Sequence, residues 1–156
     1  MSKEKYILVI ADGSKEMEVA LQYACARSKK TNRKIIIATF IEPLDVLTTQ
    51  GVTEIMQNEA REEAEKNLQH AASIVKESTG FMPVLHIREG EIMKELKNLI
   101  DEEKNINVLV IAANVEEKDN PGPIIEGLVS KELSNFRVPI MIVPGNFSKD
   151  HIALLT

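Results

Sequence analysis

A chain of 156 residues, 44% hydrophobic and 28% charged, is the size of one compact domain and long enough to bury a core. With 19 lysines and arginines against 24 aspartates and glutamates, its formal charge is −5, which argues against a broad nucleic-acid or anionic-membrane face. Aromatics are only 4%, with no tryptophan to stack single-stranded bases, and the single cysteine, Cys25, excludes an internal disulfide.

The chain opens on Met1-Ser2-Lys3-Glu4-Lys5 and runs into the apolar stretch Tyr6 to Ala11. That stretch is too short for a signal-peptide core or a membrane span, so a cytoplasmic protein is expected. It reads as a first strand, followed by the turn Asp12-Gly13-Ser14. Ser14 is the expected N-cap of the next helix. Asp12 can cap the helix or close an Asx-turn, and neither role excludes contact with a ligand. Met17, Leu21, Ala24, Cys25 and Ser28 then form an apolar stripe at helical spacing, which makes Cys25 a small core residue rather than a redox centre. The basic window Lys29 to Lys34 falls where that helix ends and complements its carboxyl terminus.

A second strand is predicted over Ile35 to Ile41, then a loop from Glu42 to Val52. Met56, Ala60, Ala64, Leu68, Ala71 and Val75 mark a long second helix with a charged flank over Glu59 to Lys66. Val84 to Ile87 is the third strand, and Ile92, Leu96, Leu99 and Ile100 are the stripe of the third helix. Val108 to Ala113 is the fourth strand, and the loop Asn114 to Pro123 follows it. A fourth helix is marked by Ile124, Leu128, Val129 and Phe136, and Val138 to Val143 is the last strand.

These strands are rich in Val and Ile and mostly lack alternation, as suits strands covered on both faces. Strict β-α alternation predicts an α/β fold: an open five-stranded parallel sheet with helices on both faces, in one domain over 1–156. Ligands in such sheets sit beyond the carboxyl ends of the strands, where strand order reverses. The seven glycines include no G-x-G pair, no P-loop and no G-x-S-x-G elbow. His70, His86 and His151 stand at no metal-ligand spacing, and no nucleophile–base pair can be assembled. The expectation is therefore no catalytic residue, no metal ligand and no enzyme.

The opening Ile7-Leu8-Val9-Ile10-Ala11-Asp12-Gly13-Ser14, with an alanine-containing helix behind it, resembles the start of a universal stress protein. Phe40-Ile41-Glu42-Pro43, Arg88-Glu89-Gly90-Glu91-Ile92, the strand Val108 to Ala113 and Arg137 to Pro144 extend the resemblance over nearly the whole chain. Pro121-Gly122-Pro123 resembles the Gly-Pro-Gly-Pro-like last loop of a proteobacterial branch. The resemblance implies strand order 3-2-1-4-5 and a non-catalytic stress-response or signalling module. It also implies a possible adenine-nucleotide cleft (ATP or another adenine nucleotide, with Mg) and a homodimer through the final strand, Val138 to Val143. Nucleic-acid and membrane partners are not expected, and a protein partner is not specified. Slow ATP hydrolysis is the alternative; a phosphorylated receiver domain is disfavoured because the third run ends in Ile87-Arg88-Glu89 and the fifth in Pro144-Gly145.

Family members that bind ATP contact adenine through an Asp ending the first strand and backbone ending the second, here Asp12 and Ile41. Their phosphate loop, G-x-x-G, nine residues, then G-Ser/Thr, departs in this chain. Ala112 and Val115 replace the first two glycines, eleven residues separate Val115 from Gly127, and Leu128 replaces Ser/Thr. A β-branched Val does not bring backbone N–H groups to a phosphate as glycine does. Between Ala112 and Gly127, Glu116, Glu117, Asp119 and Glu126 outweigh Lys118 for a net −3, so nucleotide binding is expected to be weak and to need a divalent cation. Gly122-Pro123 can open a helix presenting N–H groups, with Gly127 and Ser130 along it. The candidate nucleotide-binding set is Asp12, Gly13, Ser14, Ile41, Ala112, Ala113, Gly122, Gly127 and Ser130.

Overall fold

A computed structural model describes residues 4–43, 50–117 and 120–156; most of the expected Glu42 to Val52 loop, and the Lys118-Asp119 pair, lie outside the described residues. Five strands form one parallel sheet: β1 (Tyr6–Ile10), β2 (Lys34–Ile41), β3 (Val84–Glu89), β4 (Ile106–Ala113) and β5 (Ile140–Pro144). Their order is β3-β2-β1-β4-β5, as the resemblance implied.

Both faces of the sheet are buried, which is why the strands read as continuous apolar runs. Ile7, Val9 and Ala11 point into one core with Leu21, Ala24, Cys25, Leu68 and Val75 of α1 (Met17–Thr31) and α2 (Gln50–Thr79). Leu8 and Ile10 point the other way, into a core with Leu96, Leu99, Ile100 and Leu128. That second core is covered by α3 (Ile92–Glu102) and by α4 (Pro123–Gly127) with the turns behind it. The predicted stripe of α1 is buried, and so are Leu96, Leu99 and Ile100 of α3, but Ile92 is only partly buried and Met56 of α2 is 39% exposed.

The fourth helix differs from expectation. After α4 the chain widens into a π-helical turn over Leu128–Glu132 and tightens into a 3-10 turn over Leu133–Asn135, which leaves Val129 exposed. Arg137 then donates from one guanidinium nitrogen to the carbonyls of Ile100 (2.6 Å), Glu103 (3.2 Å) and Ile106 (3.3 Å), tying the entry of β5 to the end of α3. Burial of the apolar run begins at Val138, yet β5 starts only at Ile140, because Pro139 has no N–H for the ladder. The tail forms α5 (Lys149–Leu155), capped by the Ser148 hydroxyl oxygen accepting from the His151 N–H at 3.1 Å. It packs on α1, burying Ile152 and leaving Leu154 and Leu155 exposed. Among the described residues, no helix is long and apolar enough to cross a membrane.

Candidate functional site

Strand order reverses between β1 and β4, so their following loops meet at the carboxyl edge of the sheet. After β1, Asp12 Oδ1 accepts from the Ser14 N–H at 2.9 Å and from the Ser14 hydroxyl at 2.6 Å, an Asx-turn. Ser14 is therefore not the N-cap expected of it. The cap position is Glu16, without a side-chain bond, and Ser14 contributes only its carbonyl, which accepts from the Met17 N–H at 3.2 Å. Gly13 has φ +74°, and a Cβ there would lie 2.7 Å from Asn67 Nδ2, so glycine lets this turn pass close beneath α2.

Beside the turn opens a cleft of about 340 Å³. Asp12 stands at its β1 end; Thr39, Phe40, Ile41 and Glu42 form its β2 end. Ala60, Glu63, Ala64 and Asn67, on one face of α2, make a wall, and Ile92 and Ile124 add apolar surface from α3 and α4. The Ile41 carbonyl accepts from the Gly90 N–H at 2.9 Å, toward β3, whereas the Ala38 carbonyl accepts from the Ala11 N–H at 2.8 Å, toward β1. Peptide groups alternate sides along a strand, so those of Phe40 point as Ala38's do, toward the space above the end of β1. Asp12, Glu42 and Glu63 line the cleft, and no lysine or arginine does among the described residues.

The loop after β4 is folded on itself. The Asn114 N–H donates to the Pro121 carbonyl at 3.0 Å, and Asn114 Oδ1 accepts from the N–H groups of Glu116 (2.8 Å) and Glu117 (3.4 Å). The Asn120 N–H donates to the Glu117 carbonyl and the Gly122 N–H to Asn120 Oδ1, both at 3.3 Å. Lys15 donates to Glu116 at 2.9 Å across the two loops, and this carboxylate holds the exposed ammonium above its usual pKa. Gly122, at φ +113°, opens α4 with proline behind it, as the sequence suggests.

Of the nine candidate residues, Asp12 and Ile41 share the cleft, and Gly13 and Ser14 form the turn at its side. Ala112 is buried in β4, and the Ala113 carbonyl accepts from the Gly145 N–H at 2.8 Å. Gly127 packs toward Met93, and the Ser130 hydroxyl donates to the Glu126 carbonyl at 2.6 Å. None of these four lines the cleft; Gly122 reaches its border only through Ile124, two residues on. Phe40, Glu63 and Asn67 were not legible as site residues. The one available signal is that Ala60, Glu63, Ala64 and Asn67 place small and polar residues together on one face of α2.

Chemically, the cleft combines apolar walls with carboxylate and amide groups. Among the described residues no group of three or more histidines, cysteines or carboxylates converges as a cation site. Burial pushes the Cys25 thiol pKa up, the opposite of an activated nucleophile. A larger groove, of about 470 Å³, runs between α1, α2 and α5, away from the strand ends.

The universal stress protein family model matches residues 4–144. A comparison with curated proteins gives no match. Among solved structures, the universal stress protein UspA from Lactobacillus plantarum is 13% identical with a TM-score of 0.74, covering 92% of this chain and 99% of that one. A universal stress protein from Archaeoglobus fulgidus in complex with dAMP is 16% identical (TM-score 0.65; 92% and 99% covered). A universal stress protein in complex with cAMP is 21% identical (TM-score 0.66; 93% and 100% covered). At such identities the structures speak for the fold alone, and the family model, spanning β1 to β5, carries the assignment: this chain belongs to the universal stress protein family.

Proposed function

We propose that this protein is a non-catalytic stress-response or signalling module whose cleft takes an adenine nucleotide. One observation carries the reading: Asp12 and the end of β2 face each other across a cleft at the switch point of the sheet. The Asx-turn uses Oδ1 of Asp12, and Oδ2 is left to accept from an adenine amino group. The backbone of Phe40, next to Ile41, meets the other edge of the base, and Ile92 and Ile124 supply its apolar surround. The relatives in complex with cAMP and dAMP support an adenine ligand in this fold. A cytoplasmic protein is part of the proposal, and so is a homodimer through β5, whose Ile142 is 43% exposed while the tail helix packs on α1 instead.

Asp12→Ala is expected to weaken adenine-nucleotide binding by about 1–3 kcal/mol, the range for losing a buried hydrogen bond. Isothermal titration calorimetry on wild type and variant checks this, and equal affinities would remove Asp12 from the site.

A further inference from the structure

We propose that the cleft selects its adenine ligand against phosphate charge, taking adenosine and weakly anionic adenine compounds ahead of ATP; this rests on the adenine-binding reading above. Three observations carry it. The first is the lining. Asp12, Glu42 and Glu63 bring three carboxylates to the cleft, opposed by no cation among the described residues. Each repels a polyphosphate, and each can accept from a ribose hydroxyl or an amino group.

The second is the fate of the neighbouring cations. Lys15, on the turn beside Asp12, is paired with Glu116. Arg61, next to Ala60 of the α2 wall, is held by Glu89 at 2.7 Å and by Glu65 at 3.8 Å. A phosphate arriving at either has to displace a carboxylate already in place. The third is the backbone. The N–H groups of Asn114, Glu116, Glu117, Asn120 and Gly122, in the loop where a phosphate cradle would form, donate within the loop itself. Backbone donors spent in this way cannot converge on an anion. What remains among the described residues is a pocket with walls for a base and acceptors for a sugar, and no lysine or arginine in its lining to attract a phosphate chain.

The test is calorimetry of the full chain with adenosine, cAMP, AMP and ATP, each in EDTA and in Mg. In EDTA the affinities are expected to fall in that order, with ATP weaker than adenosine by about tenfold or more. Mg is expected to narrow the gap by offsetting ATP's charge. Glu116→Gln, exposed and outside the cleft, releases Lys15 and removes one negative charge. It is expected to raise ATP affinity about threefold and leave adenosine unchanged. ATP binding in EDTA as tightly as adenosine overturns charge selection and leaves the adenine reading standing. Equal gains for adenosine and ATP in Glu116→Gln overturn it as well. No binding by any of the four compounds overturns the adenine reading, and this inference with it.

Discussion

The sheet has two edges, and the protein treats them differently. On β3 every residue from His86 to Glu89 except Ile87 is charged or titratable, and each is engaged from a flanking helix. Arg88 pairs with Glu102, Glu89 with Arg61 at 2.7 Å, and His86 stands 4.0 Å from Glu103. On β5, Ile140, Met141, Ile142 and Val143 carry no charge, and Ile142 keeps 43% of its surface exposed. Charged side chains make an edge a poor template for another strand, whereas an apolar edge without them calls for a cover. Helix α5 of the tail packs on α1, and Ile142 stays exposed. The lesson is that a sheet can protect one edge by charge and leave the other for recognition, here proposed as pairing with a second copy.

The largest effect is expected from Gly145→Ala, immediately after β5. A Cβ there would collide with the Ala113 carbonyl oxygen and sit 2.6 Å from Glu16 Cβ, so the end of β5 or the start of α1 must shift. Overpacking against backbone costs about 1–3 kcal/mol, here at the upper end, and urea denaturation measures it. If β5 is an assembled edge, its variant also loses dimer at a given concentration.

A moderate effect is expected from Ile142→Lys, which gives β5 the kind of charge that β3 already carries. Light scattering should find wild type dimeric and the variant monomeric, with folding stability changed by less than about 0.5 kcal/mol for an exposed site. A wild type that stays monomeric at high concentration ends the pairing proposal.

The smallest effect tests the charged edge. The Arg88 guanidinium holds the Glu102 carboxyl below its usual pKa, so Glu102 stabilises the fold above its unfolded value and that contribution is lost as pH falls through the lowered folded value. Arg88→Ala is expected to flatten the loss of stability below about pH 4.5, the ordinary value for this carboxyl, and to leave the profile near pH 7 parallel to wild type. Thermal denaturation across this range checks it. An unchanged acid slope would show that the pair contributes nothing.

Much of this molecule was legible from residue order. The runs Ile7 to Ile10 and Ile35 to Ala38 are apolar at every position because alternate residues enter opposite cores, and that pattern alone gives strands buried on both faces. The stripe Met17, Leu21, Ala24, Cys25 and Ser28 gives α1 and its buried face for the same reason: 3.6-residue periodicity records which side meets the core. The Asp12 turn was legible too, since aspartate before Gly-Ser binds its own backbone.

Tertiary structure decided what local pattern does not encode. Ser14 lost the cap because its hydroxyl found Asp12 within the turn, and two short-range options of similar energy are settled by geometry. The fourth helix passes from an α turn through a π turn to a 3-10 turn, with Leu128 buried in the core and Val129 exposed. The cleft's α2 wall stands fifty or so residues from Asp12 along the chain, and only the crossover from β2 to β3 brings Glu63 and Asn67 beside it. Which side of β2 the peptide groups of Ile41 and Phe40 face is set by pairing with β3 and not by either residue's identity. Sequence determined which surfaces are apolar; long-range pairing decided which of them meet, because contact between distant segments depends on register and crossover rather than on local composition.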